Sequence, residues 1–204
     1  MKHIILIRST FRDEELFQKY LTVAKEVLFP QLNSQTNKNF TVCFLSNSDS
    51  HSEIISSYLD DSVNRIFILD PFWKIQFTEH LTNNFYDIQT RHDIDDWMSI
   101  DYVDTIQKTW SQYKESHPNE SMLLVQSQPV LYDFNTTEVK DMKTLYSDFI
   151  ISMHLSLCQK ENKHHVFENV HLRMHQVTEN VILLPLGFTK LVIHNNNMLS
   201  TMNC

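Results

Sequence analysis

Glycine is nearly missing from this chain: Gly187 is the only one in 204 residues. That excludes a Gly-x-Gly-x-x-Gly dinucleotide fingerprint and a glycine-rich P-loop. A bound nucleotide would have to be held by side chains and a cation. Asparagine takes over many expected turns, since it tolerates left-handed backbone better than most residues. Cysteine is also scarce. Cys43, Cys158 and Cys204 are odd in number and far apart, which fits neither a disulfide framework nor a zinc motif. A reducing, cytoplasmic setting is expected, with peripheral membrane contact left open. No apolar run is long enough to cross a bilayer. Met1 to Arg8 lacks the long apolar segment and small-residue cleavage site of a signal peptide, and reads instead as a first strand. Basic residues are outnumbered, 17 Lys and Arg against 25 Asp and Glu, for a formal charge of -8. This argues against a broad nucleic-acid surface, so no nucleic-acid partner is expected. A divalent cation would reconcile an acidic pocket with an anionic ligand.

What remains is enough for a core, with 42% hydrophobic and 11% aromatic residues. The length fits a single domain over 1–204, and no repeat or low-complexity linker divides it. Compact apolar runs at His3 to Ile7, Phe40 to Leu45 and Arg65 to Leu69 read as strands. Between the first two, Leu16, Tyr20, Ala24, Val27 and Leu28 recur at helical spacing, with Asp13-Glu14-Glu15 at the start and Pro30 at the exit. Ile54, Ile55, Tyr58 and Leu59 suggest a second helix, and another is expected within Gln76 to Phe85. Val103, Ile106, Trp110 and Tyr113 mark a further helix. Ser121 to Val125, Pro129 to Tyr132, Val166 to Leu172 and Val181 to Leu184 read as strands, Lys190 to Ile193 as a late apolar run, and Phe149 to Leu157 as helical. Alternating strands and helices predict an α/β fold with a mostly parallel sheet flanked by helices.

The segment Thr90-Arg91-His92-Asp93-Ile94-Asp95-Asp96 crowds three carboxylates into four residues. Such groups repel and resist burial, so solvent, Arg91 or a cation must compensate. One reading is an exposed loop in which Asp95 or Asp96 caps the next helix. The other is a ligand site, because parallel α/β folds bind ligands beyond the carboxyl ends of their strands. Mg²⁺ or Mn²⁺ favours carboxylate oxygens and bridges phosphates.

At this segment the chain resembles the GT-A glycosyltransferases, especially their rhamnosyltransferase group, whose pattern is Thr-Arg-x-Asp-x-Asp-Asp. Leu28 to Thr36 resembles the group's helix end and turn, and Asn39-Phe40-Thr41 continues into its second strand. Leu191-Val192-Ile193-His194-Asn195-Asn196-Asn197 resembles a late Val-x-His-Gly-x-Asn segment, with Asn195 where the pattern has Gly. Val130-Leu131-Tyr132-Asp133 is a weaker intermediate match.

The resemblance implies a GT-A-like sheet and a metal-dependent transferase, inverting at the sugar. Its partners would be a dTDP-, UDP- or GDP-linked sugar donor and a glycan or other hydroxyl acceptor. Asp93 would face the nucleoside, and Asp95 would hold Mn²⁺ or Mg²⁺ together with His194. Asp96 would organise the site, and Arg91 would pair with carboxylates or diphosphate. Arg8, Asp49 and Asn197 would contact the donor. Asp95, Asp96 and Arg91 form the expected catalytic set. His171 matches a further family histidine. Glu138, Asp148 and Glu168 are candidate bases, and the residues do not choose among them. Phe72, Trp73 and Trp110 suit core or acceptor cleft. For Asp49 a turn-forming role competes, for His194 an edge-of-core role, and for Arg91 a structural salt bridge. A non-catalytic nucleotide-sugar or glycan-binding protein and a nucleotidyltransferase are the rival functions.

Overall fold

The computed structural model describes residues 1–69, 75–126, 130–141, 155–161, 164–166, 178, 180–184 and 188–194. Its elements in chain order are β1 (His3–Ser9), α1 (Glu14–Glu26), α2 (Leu28–Asn33), β2 (Thr41–Ser46), α3 (Asp49–Ser56), β3 (Asn64–Leu69), α4 (Ile75–Asn83), β4 (Ile88–Asp93), β5 (Trp97–Met98), α5 (Tyr102–Ser116), β6 (Met122–Gln126), β7 (Val130–Asp133), β8 (Val139–Asp141), β9 (Leu155–Cys158), β10 (Val181–Leu184) and β11 (Thr189–Ile193). Seven strands form one sheet in the order β10-β6-β9-β4-β1-β2-β3. All but β9 run the same way, since β9 pairs antiparallel with both β4 and β6. A second sheet has the order β5-β11-β7-β8.

The expected α/β fold with a mostly parallel, helix-flanked sheet is present. Its central strands are apolar on both faces because both faces are covered. Ile5, Ile7, Val42 and Phe44 pack against Phe17, Leu21, Ala24 and Leu28 of the first two helices and Val103, Ile106 and Trp110 of α5. Ile4, Leu6, Cys43 and Leu45 face the other way, in the cluster that holds Phe77 and Leu81 of α4. Cys43 and Cys158 are buried free thiols.

Some local expectations need correction. Pro30 lies inside α2 instead of ending a long helix. It falls in the first turn, where a missing N–H breaks no intrahelical bond. α3 begins at Asp49, so Tyr58 and Leu59 lie beyond its end. The cause is Ser48, whose hydroxyl accepts the His51 N–H at 3.3 Å as a helix cap. Residues 155–157, expected to be helical, belong to strand β9. Pairing with β4 and β6 on either side overrides their local preference. The remainder of that stretch, and Phe167 to Leu172 of an expected strand, lie outside the described residues.

A buried polar chain crosses the sheet. His3 Nε2 meets Thr90 Oγ1 at 2.8 Å, which meets Ser156 Oγ at 2.6 Å. Gln107 Nε2 donates to His3 Nδ1 at 3.5 Å and to the Asn39 carbonyl at 2.8 Å. A neutral imidazole can satisfy both contacts, and burial lowers the His3 pKa from 6.5 to about 3. Between those values the unfolded chain binds a proton that the folded chain refuses. The stability is therefore complete above pH 6.5 and is lost as pH falls toward 3. Urea unfolding should show a loss on the order of 2 kcal/mol between pH 7 and pH 5 from this group. The His3→Gln variant should lack that part of the slope.

Candidate functional site

Because β1, β2 and β4 are parallel, their carboxyl ends meet at one edge of the sheet. Arg8 near the end of β1 stands opposite Asp93 at the end of β4, and Leu6 opposite Arg91. Residues paired in this way project to the same face, so Arg8, Arg91 and Asp93 share one side of the sheet. Arg8 is exposed and Arg91 half-buried. Burial lowers the Arg91 guanidinium to about 10, aided by Arg8 and opposed by Asp93. Arg91 therefore still carries charge at neutral pH.

Beyond β4 the chain turns tightly, with the Asp96 N–H donating to the Asp93 carbonyl at 3.3 Å. Ile94 anchors the turn in the core. Asp95 and Asp96 are both buried, at 8% and 4% exposure. Neither caps a helix: α5 begins after Asp101, and β5 intervenes. Their partners come instead from β11 and the residue after it. The Val192 N–H donates to Asp96 Oδ1 at 2.9 Å. His194 Nε2 lies 2.9 Å from Asp95 Oδ2. Burial pushes the Asp96 carboxyl well above the usual carboxylate range, and the neighbouring charges of Asp95 and Asp93 push it further. The Val192 N–H and His194 pull the other way.

Strand β11 is held at this turn by parallel pairing with β7, from Lys190 opposite Val130 to Ile193 opposite Asp133, and by two further devices. It pairs antiparallel with β5, Lys190 opposite Trp97 and Thr189 opposite Met98. At its start, buried Gln126 treats Thr189 as a neighbouring strand would. Gln126 Oε1 accepts the Thr189 N–H at 2.7 Å, and its Nε2 donates to the Thr189 carbonyl at 3.0 Å. From the helical side, Tyr20 of α1 meets the His194 ring edge-on, with centroids 5.0 Å apart at 89°.

Arg8, Arg91, Asp93, Asp95, Asp96 and His194 thus gather at one edge. Asp49 does not join them by any described hydrogen bond or ion pair. It is exposed in the first turn of α3, where the helix dipole favours an acid. Glu138 is exposed and its N–H meets Thr136 Oγ1 at 3.4 Å in the turn after β7. Trp110 is a core residue. Asn197, Asn195, His171, Asp148, Glu168, Phe72 and Trp73 lie outside the described residues. Among the described residues, no three or more His, Cys, Asp or Glu side chains are gathered around a cation position. Sequence reasoning placed Tyr20 in the core stripe of α1 and did not single out Gln126. A polar hydroxyl on an otherwise apolar helix face was the only available signal for Tyr20.

No family model matches the chain, and no curated protein matches it. Solved structures do match. S. aureus TarS 1-349 in complex with UDP-GlcNAc superposes with a TM-score of 0.59 at 12% identity, covering 98% of this chain and 61% of that one. Mannosyltransferase PcManGT from Pyrobaculum calidifontis, in complex with GDP-Man and Mn²⁺, gives 0.54 at 10% identity, covering 96% and 58%. The chain spans about three-fifths of the length of these matched structures. At such identities the likeness is one of fold, and it defines the class: a GT-A-like α/β core. No helix among the described residues is long and apolar enough to cross a membrane.

Charge and hydrogen bonding at Asp96 can be separated. Asp96→Ala removes an acceptor from the buried Val192 N–H, and should cost about 1–3 kcal/mol. Asp96→Asn keeps an acceptor oxygen and removes a charge pressed by two carboxylates. It should be at least as stable as the native chain at pH 7. Equilibrium unfolding of the three proteins in urea gives the comparison.

Proposed function

We propose that this chain is the donor-binding core of a glycosyltransferase that moves a sugar from a nucleotide to a hydroxyl acceptor. The observation that carries the reading is the meeting of Asp95 and His194, 99 residues apart, beside Asp93 and Arg8 at the carboxyl edge of a GT-A-like sheet. Two structurally similar chains are described with a nucleotide sugar, one of them also with Mn²⁺. A dTDP-, UDP- or GDP-linked sugar is the proposed donor. Rhamnose as the sugar rests on the sequence resemblance alone.

The residues present fit Mn²⁺ or Mg²⁺. Asp95 and His194, whose side chains lie 2.9 Å apart, would supply the ion with a carboxylate oxygen and an imidazole nitrogen. The cation would take the place of the proton between them and offset the crowding of Asp93, Asp95 and Asp96. It would supply charge stabilisation for the departing diphosphate. Asp95 and His194 would be its protein ligands, and the diphosphate would add to the hold on the ion. Binding of cation without nucleotide should therefore be weak.

In the proposed mechanism Arg8 and Arg91 add positive charge beside the diphosphate, Asp93 faces the nucleoside, and Asp96 holds the turn through Val192. Asp49 and Asn197 complete the proposed donor contacts. The acceptor hydroxyl attacks from the face opposite the leaving group, inverting the anomeric carbon, while a carboxylate from the later half of the chain takes its proton.

A panel of nucleotide sugars with product detection tests the reading. Release of nucleoside diphosphate supports transfer. Pyrophosphate from a nucleoside triphosphate would instead mark a nucleotidyltransferase, and saturable binding with neither product a binding protein. Calorimetric titration should show that Mn²⁺ and the diphosphate strengthen each other's binding, and that Asp95→Ala lowers this mutual gain at least tenfold. Unchanged coupling in that variant would remove Asp95 from the cation site.

A further inference from the structure

Helix α1 carries two buried stripes. Phe17, Leu21 and Ala24 face the main sheet, as does Leu28 at the start of α2. Val23 and Val27 pack with Val192 of β11 and with the half-buried Trp97, Tyr132 and Phe134 of the second sheet. Tyr20, three residues before Val23, packs against the main-sheet cluster. His194 extends β11's side of the same contact, two residues beyond Val192 and so on the same face. The helix and the strand thus meet through Val23 and Val27 on Val192, then through Tyr20 on His194.

The imidazole needs such a support. A carboxylate oxygen accepts, so the nitrogen facing Asp95 donates. The other nitrogen, Nδ1, is buried without a hydrogen-bond partner among the described residues, and His194 is only 3% exposed. Beyond its Cβ tether, the ring has one hydrogen bond to set its tilt. The Tyr20 ring, edge-on at 89° with centroids 5.0 Å apart, packs against it. Tyr20 also touches Phe11, in the loop after β1, with ring centroids 5.0 Å apart. The Phe11 N–H donates to Asn47 Oδ1 in the loop after β2. One aromatic ring therefore joins the loops beside the proposed nucleotide to the proposed cation ligand.

We propose that Tyr20 is a positioning residue for this site: its ring holds the His194 imidazole against Asp95 and ties that geometry to the loop carrying Phe11. The consequence for cation and donor binding rests on the glycosyltransferase reading above. The placement of the imidazole does not.

The test compares the native chain with Tyr20→Phe and Tyr20→Leu, using ¹⁵N ring resonances of histidine, with His194 assigned by its loss in His194→Gln. Without metal, the native chain and Tyr20→Phe should show a slowly exchanging Nε2 proton on His194. In Tyr20→Leu that proton should exchange at least tenfold faster, while urea unfolding shows the chain still folded. Mn²⁺ titration in the presence of UDP, and separately of GDP, should then weaken about tenfold in Tyr20→Leu and less than threefold in Tyr20→Phe. Equal proton exchange in all three proteins would overturn the proposal. So would loss of protection in Tyr20→Phe, which would assign the role to the hydroxyl. If Tyr20→Leu frees the imidazole while the native chain binds no Mn²⁺ with either nucleotide, the positioning role stands and the cation reading fails. A Tyr20→Leu chain too unstable to fold is replaced by Tyr20→Met, judged by the same exchange.

Discussion

Two buried carboxylates, side by side at the end of a strand, are the constraint to which the rest of the site answers. Asp95 and Asp96 cannot share a low-dielectric turn unless each is given a partner. Both partners come from one late segment, the Val192 N–H and the His194 ring. The position of β11 is thus a requirement of the acidic turn. Gln126 meets that requirement by bonding both backbone groups of Thr189, so the main sheet reaches the second sheet through a side chain where a strand would otherwise be needed. A displacement of β11 by one residue would turn His194 to the opposite face and leave Asp95 buried without its donor.

The scarcity of glycine acquires a structural meaning in this setting. A phosphate cradle of bare N–H groups needs residues without a Cβ. Here the carboxyl edge of the sheet is furnished with side chains: Arg8 and Arg91 on one face of neighbouring strands, the three aspartates in the turn, and the imidazole from across the second sheet. The local balance of charge is negative, and burial makes it more costly. Asp96 answers by holding its proton more tightly; Arg91, whose guanidinium burial lowers, is held charged by Asp93. A cation would relieve the same imbalance without moving the backbone.

Much of the fold was legible because strands buried on both faces write compact apolar runs, as His3 to Ile7 and Phe40 to Leu45 do. The resemblance assigned Asp95 and His194 to one cation, and the structure brings their side chains within 2.9 Å. The helical reading of residues 155–157 failed for a plain reason: Leu155 to Cys158 lies between β4 and β6, and no local pattern records which strands will flank a segment. A helix cap competed with a site role for Asp96 because the next helix is close in sequence. The short β5 that separates them is a strand only because β11 pairs with it.

By itself, then, the sequence determined the alternation of strands and helices, the crowding of carboxylates between Asp93 and Asp96, and the absence of any glycine-built phosphate loop. These are local properties, set by side-chain chemistry and periodicity. Only the tertiary structure decided that Val192 would satisfy Asp96, that Gln126 would set β11, and that Tyr20 would turn from an ordinary member of a helical stripe into the ring against His194. Each of those contacts joins residues at least 63 positions apart in the chain, as the Gln126–Thr189 pair does. Their formation depends on the packing of two sheets around one helix, and no window of neighbouring residues contains it.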